Sequence, residues 1–160
     1  MAEAYVEIKT ENVEAMLVRL ETGLGDARKL MGEIGHFLTF SMLDRIEKGR
    51  DVEGIPFEPY SIPYAKLRAE EERPVHPVDL FFSGQMTSAL TYEEAKDVVR
   101  LFFLDTPRRP YKGRKPSKAT NAAIAYYNNE IREFFAISVK EQAEILELAN
   151  TYFKIILEGK

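Results

Sequence analysis

The sequence predicts an α+β fold: a small, mainly antiparallel sheet packed with two N-terminal helices and a C-terminal helix, with a long proline-rich segment and a basic loop. Three observations predict it. Apolar residues recur at helical spacing in residues 13–20, 30–46 and 145–156. Residues 5–9, 90–94 and 98–105 are strand-like, the first by alternation and the last by an apolar run that only Arg100 breaks before Asp105. Between these regions, residues 54–90 carry Pro56, Pro59, Pro63, Pro74 and Pro77 among aromatic side chains, too apolar a composition for a disordered linker.

In order, Val6 and Ile8 alternate with Glu7 and Lys9 in a short strand. Thr10 can cap a first helix with the stripe Val13, Met16, Leu17 and Leu20, and Gly23 and Gly25 end it. Asp26 can cap a second helix reaching Lys48, with Leu30, Met31, Ile34, Phe37, Leu38, Met42 and Ile46 on a broad apolar face and Gly49 at its end. Gly32 and Gly35 cost about 1 kcal/mol each relative to alanine inside a helix, and admit close approach of another backbone.

Within the proline-rich segment, residues 64–72 have room for a turn or two of helix before Pro74. Ser83 can cap a short helix over 84–90. Residues 90–94 and 98–105 follow as two strands around an Ala95-Lys96-Asp97 turn, the second apolar enough to be covered on both faces. Residues 119–127 are alanine-rich and helical, and 131–137 are apolar and extended. Ser138-Val139-Lys140-Glu141 is a capping box opening the last helix, with Ile145, Leu148, Ala149, Tyr152 and Ile156 as its stripe.

A length of 160 residues fits one domain, 1–160, able to bury roughly 70% of the surface its unfolded chain exposes. The absence of cysteine excludes disulfides, thiolate nucleophiles and cysteine-ligated zinc. Residues 1–10 lack the basic and apolar regions of a signal peptide, and no apolar run nears the ~18 residues of a membrane span. The expectation is a soluble cytoplasmic product with no membrane contact.

The net charge of −4 is unevenly spread. Residues 106–118 hold six cations, Arg108, Arg109, Lys112, Arg114, Lys115 and Lys118, and no acid, so the remaining 147 residues sum to −10. Pro107, Pro110, Pro116 and Gly113 argue that this basic stretch is a flexible arm. Its cations suit phosphates, with Tyr111 able to stack on a base; the alternatives are a solvated flexible loop or an arm that pairs with an acidic neighbouring subunit.

Catalytic signals are missing. His36 lies in an apolar helical stretch and His76 between Val75 and Pro77, and neither has a carboxylate at metal-ligand spacing. No nucleophile elbow or phosphate-binding loop occurs. Glu70, Glu71 and Glu72 sit beside Lys66, Arg68 and Arg73 and read as a solvated face. We expect no enzyme, no catalytic residue, no metal and no cofactor.

Several short motifs occur in a defined order. Arg45-Ile46-Glu47-Lys48-Gly49 closes the long helix. Gly54, Pro56, Phe57, Pro59, Tyr60, Ser61, Tyr64 and Lys66 follow Asp51 at fixed spacing. Asp79, Leu80, Ser83, Gly84, Met86, Ser88 and Leu90 form a third set, and residues 132–138 read REFFAIS. Together they resemble the virion-morphogenesis, or tail-completion, proteins of the tailed-bacteriophage neck, over about residues 25–158. Glu133 and Ala136 stand where that family often has proline and glycine, and Tyr127-Asn128-Asn129-Glu130 where it often has H-x-x-G.

The resemblance implies a structural virion protein at the head–tail junction, made in the host cytoplasm. It implies a ring, often a hexamer, joined to neighbouring neck and tail proteins, with DNA passing through the lumen. No catalysis or cofactor is implied. Ile55, Pro56, Phe57, Pro59, Tyr60 and Tyr64 are the candidate subunit interface, since prolines pre-set an extended backbone and lower its ordering cost on docking. The six cations of the arm are the candidate contact to DNA or a partner. The alternative is a nucleic-acid-binding module acting through the arm.

Overall fold

The computed structural model describes residues 5–7, 27–113, 115 and 118–157. Their order is β1 (Tyr5–Glu7), α1 (Arg28–Lys48), α2 (Ile62–Glu70), β2 (Leu90–Glu94), β3 (Val99–Phe103), α3 (Asn121–Ile131) and α4 (Val139–Leu157). The strands form an antiparallel sheet of order β1-β3-β2, with Leu90 opposite Phe103 and Tyr5 opposite Phe102. This is the expected α+β class. The first expected helix, with its cap Thr10 and its terminators Gly23 and Gly25, falls outside the described residues, as does Asp26, the expected cap of the second.

Helix α1 supplies the centre of the core. Leu30, Met31, Ile34, Leu38, Met42 and Ile46 are buried, as their spacing predicts, and Phe37 packs against them half-buried. The face is broad because α1 packs on β2 and β3 and also on α4, which buries Ile145, Ala149 and Phe153. Gly35 serves the first of these contacts. A Cβ there would come within 2.4 Å of the ring of Tyr92, so the close approach is to a side chain of β2 and not to a backbone, while Gly32 faces open space. Gly49 ends α1 at φ +66, where a side chain would be strained and would also meet the Val78 carbonyl at 2.7 Å.

Four expectations are corrected. The short helix over 84–90 reduces to a 3-10 turn at Thr87–Ala89. Gly84 takes φ +74, which a right-handed helix excludes, and the Ser83 hydroxyl accepts from Gln85 and Arg108. Residues 131–137 form no strand: Ile131 ends α3, and backbone groups of 133–136 are taken by the side chains of Arg45 and Asn129 and by the Val52 amide. Strand β3 is shorter than expected and alternates, with Val99, Leu101 and Phe103 buried, Arg100 exposed and Phe102 half-buried. Arg68 is not on a solvated face; its exposure is 0%.

The capping box is present as expected. The Glu141 amide donates to Ser138 Oγ at 3.1 Å, and the Ser138 amide to Glu141 Oε2 at 2.7 Å. The same carboxylate accepts from Arg45 Nη2 through both oxygens, at 2.5 and 2.6 Å, and from the Ser41 hydroxyl. Arg45 Nη1 donates to the carbonyls of Phe134 and Ala136 at 2.5 and 2.9 Å. One buried ion pair thus closes α1, the start of α4 and the 132–137 segment together.

Candidate functional site

The proline-rich segment is stitched to its own domain along one edge. Asp51 makes a tight turn: its carboxylate accepts from the amides of Glu53 and Ile55, and Gly54 takes φ +85. The Val52 amide donates to the Glu133 carbonyl, and the Phe57 amide to the Gly49 carbonyl. Arg132 holds the next stretch, donating through Nε to Glu58 O at 2.9 Å and through Nη2 to Pro59 O at 3.0 Å.

This stitching divides the six candidate interface residues. Phe57 is a core residue, edge-on to Phe134 at 6.5 Å. Tyr60 and Tyr64 are half-buried, and Pro56 and Pro59 are exposed. Ile55 keeps 54% of its surface in solvent, and the neighbouring Ile62 keeps 86%. The segment therefore buries one set of side chains at home and displays another.

Tyr60 is the hub of the buried set. Its hydroxyl donates to Asp79 Oδ1 at 3.2 Å and accepts from the Leu80 amide at 3.1 Å. The guanidinium groups of Arg68 and Arg132 lie over its ring at 4.6 and 5.6 Å. Burial raises the Tyr60 phenol to about 12, with the nearby Arg68 charge opposing the shift and Asp79 adding to it. Burial also lowers the Arg132 guanidinium from its usual value. Arg68 further donates to Asp79 Oδ1 at 2.8 Å, Pro74 O at 2.7 Å and Phe81 O at 3.2 Å, which pins the 71–86 loop against α2.

From Tyr60 a file of rings crosses to the basic arm: Tyr60 to Tyr64 at 5.1 Å, Tyr64 to Phe82 at 6.0 Å, and Phe82 to Tyr111 at 5.3 Å. These rings line a groove of about 860 Å³ between the proline-rich segment, the 80–87 stretch, the arm and α3. The two regions singled out in the sequence are thus walls of one groove. Among the described residues its polar lining includes Arg108, Arg109, Lys115 and Arg132 against one carboxylate, Glu58.

The arm is less free than its composition implies. Gln85 clamps its backbone from both sides: Oε1 accepts from the Arg109 amide at 2.7 Å and Nε2 donates to the Arg109 carbonyl at 3.2 Å. Arg108 Nη2 donates to Ser83 Oγ at 3.2 Å. Lys112 pairs with Glu71 at 3.0 Å, which raises the lysine's pKa. Tyr111 packs on Phe82 and its hydroxyl accepts from Arg73 at 2.7 Å, so it is not a free stacking platform. Arg109, Lys115 and Lys118 are exposed, and Arg114 lies outside the described residues.

Arg132, Gln85 and Phe82 complete the groove without having stood out as site residues. Arg132 was visible only as the first letter of a motif. The roles of Gln85 and Phe82 depend on partners 24 and 29 positions away (Arg109 and Tyr111), which local spacing does not reveal. Among the described residues no cluster of three His, Cys, Asp or Glu is placed to hold a metal, and no helix is long and apolar enough to cross a membrane.

Fold and groove define a small α+β protein whose motif residues, Arg45, Gly49, Asp51, Tyr60, Asp79 and Arg132, hold its irregular segments in one shape. The chain belongs to the phage virion morphogenesis family, whose model matches residues 8–154. Membership gives it a bacteriophage morphogenesis role associated with the virion. No curated protein and no solved structure gives a significant match.

Proposed function

We infer that the chain is a structural subunit of a tailed-phage particle that assembles with copies of itself into a ring at the head–tail junction and completes the tail. The observation that carries this reading is the family match, taken with the division of the proline-rich segment. Residues Phe57 and Tyr60 lock the segment on its own domain, so Ile55 and Ile62 are held outward on a backbone already ordered. An ordered, outward apolar segment loses little entropy on docking. Further exposed apolar residues stand near it: Phe40 at 68%, Ile131 at 62% and Val139 at 83%. Phe40 and Val139 line the cleft beside Gly54, and Ile131 lines the aromatic groove beside Pro59.

The test is to image the protein in intact particles and in particles made without it. A ring at the neck, and tails that fail to join heads when the chain is missing, are expected. Normal, infectious particles lacking the chain would overturn the reading.

A second reading, contact with DNA through the arm, is favoured by the exposure of Arg109, Lys115 and Lys118. It predicts affinity for duplex DNA that falls steeply with salt and is lost when Arg108, Arg109 and Lys115 become alanine. Binding that is absent, or indifferent to salt, removes it.

A further inference from the structure

The aromatic groove and the β2–β3 turn sit at opposite ends of one ribbon. Strand β2 begins at Leu90, three residues beyond the groove-lining Thr87, and β3 ends at Phe103, five residues before the groove-lining Arg108. The turn lies at the far end, where the Ala95 amide donates to the Val98 carbonyl. Five-residue strands separate the two ends by roughly 15 Å.

The ends are opposite in charge. The groove offers Arg108, Arg109, Lys115 and Arg132 against Glu58. The turn offers three carboxylates, Glu93, Glu94 and Asp97, around one cation, Lys96, all exposed, so it is acidic on balance. Glu93 stands opposite Arg100 in the β2–β3 register, and Glu94 and Asp97 flank Lys96 at the tip that a neighbour would meet.

We propose that the groove is the socket for the β2–β3 turn of a second copy of this chain, so that subunits join head to tail. The inference rests on the reading of the chain as a self-assembling structural subunit, and adds which surface meets which. A contact between two different patches is heterologous, and it closes into a ring when the rotation per subunit divides the circle. The carboxylates set orientation and register against the cationic rim. The outward apolar Ile131, which lines the groove, supplies area that the polar turn lacks. A groove of about 860 Å³ holds a few side chains, which matches a turn and not a whole element.

The experiment uses the full chain, which has no cysteine of its own. Self-association is followed by sedimentation, and cross-linking by oxidising the double variant Ala95→Cys/Lys115→Cys. We expect intermolecular disulfides in the double variant and none within copies. The reversals Glu94→Lys/Asp97→Lys and Arg108→Glu/Arg109→Glu should each weaken association roughly tenfold with the circular-dichroism spectrum unchanged. An equal mixture of the two reversals should restore association, because each supplies the partner the other lacks.

Association that ignores both reversals and yields no cross-link overturns the socket but leaves a self-assembling subunit. Loss on reversing the groove alone, whether of association or of DNA binding, assigns the groove to another occupant and also overturns the socket. No association at any concentration, with no cross-link in purified particles, removes the socket and the self-assembly reading together.

Discussion

Glu141 shows how much one side chain can join. The sequence marks it as the second half of a capping box, a device for one helix end. In the fold it is also the counter-ion of Arg45, 96 positions away. Burial alone would raise its pKa, but bonds from Ser41 and Ser138 and the charge of Arg45 outweigh that and hold it below the usual carboxylate range. A depressed native pKa stabilises the fold fully above the unfolded value of 4.5, and the contribution is lost as pH falls through the native value. Glu141→Gln should therefore cost about 3 kcal/mol at pH 7, since it leaves Arg45 buried without a counter-charge. The gap in melting temperature between wild type and variant should shrink as the pH drops below about 4.5. A gap that stays constant from pH 7 to pH 3 would show that the charge of Glu141 does nothing the amide cannot do.

Among elements, the regular ones were legible and the irregular ones were not, for a physical reason. The buried face of α1, the two strands around Ala95–Asp97 and the last helix follow from periodicity and caps, because their backbone bonds are local. Residues 131–137 read as extended in the sequence because they are apolar. Apolarity reports burial and does not tell which group accepts a backbone bond. Here the Phe134 and Ala136 carbonyls go to Arg45, and the Glu133 carbonyl to Val52. The same holds for Arg68, whose sequence neighbours are charged while its partners are Asp79 and the carbonyls of Pro74 and Phe81. Arg68→Leu keeps the volume roughly but takes the donor from those carbonyls and the counter-charge from Asp79, which keeps its bonds from Tyr60 and the Phe81 amide. Since Asp79 is one-fifth exposed and can recruit water, the loss should be near the lower end for a broken buried pair, about 3 kcal/mol. The 71–86 loop should open first. Limited proteolysis checks this: early cuts within 71–86 in the variant but not in wild type are expected, and identical cleavage patterns would count against the pinning role.

At the scale of the whole molecule, the candidate site was legible as two stretches but not as one groove. Proline content and aromatic mass marked the first stretch and charge marked the second. What joins them is the file of rings from Tyr60 to Tyr111, set by tertiary packing alone. Sequence also could not divide the interface peptide, because Phe57 and Ile55 are equally apolar while one is in the core and the other is outside. That division gives a clean separation of stability from assembly. Ile62→Ser, and Ile55→Ser for the outer half of its side chain, remove apolar surface that the isolated chain already leaves in water. Such surface changes are expected to move folding stability by no more than about 0.5 kcal/mol. If outward apolar residues are what this subunit presents to its neighbours, the double variant should fold and express like wild type yet be depleted from assembled particles several-fold. The measurement is the amount of variant in purified particles after co-expression with wild type, where both compete for the same positions. Equal incorporation would mean that Ile55 and Ile62 face nothing in the particle, and the subunit contact would then have to be sought on the groove and turn alone.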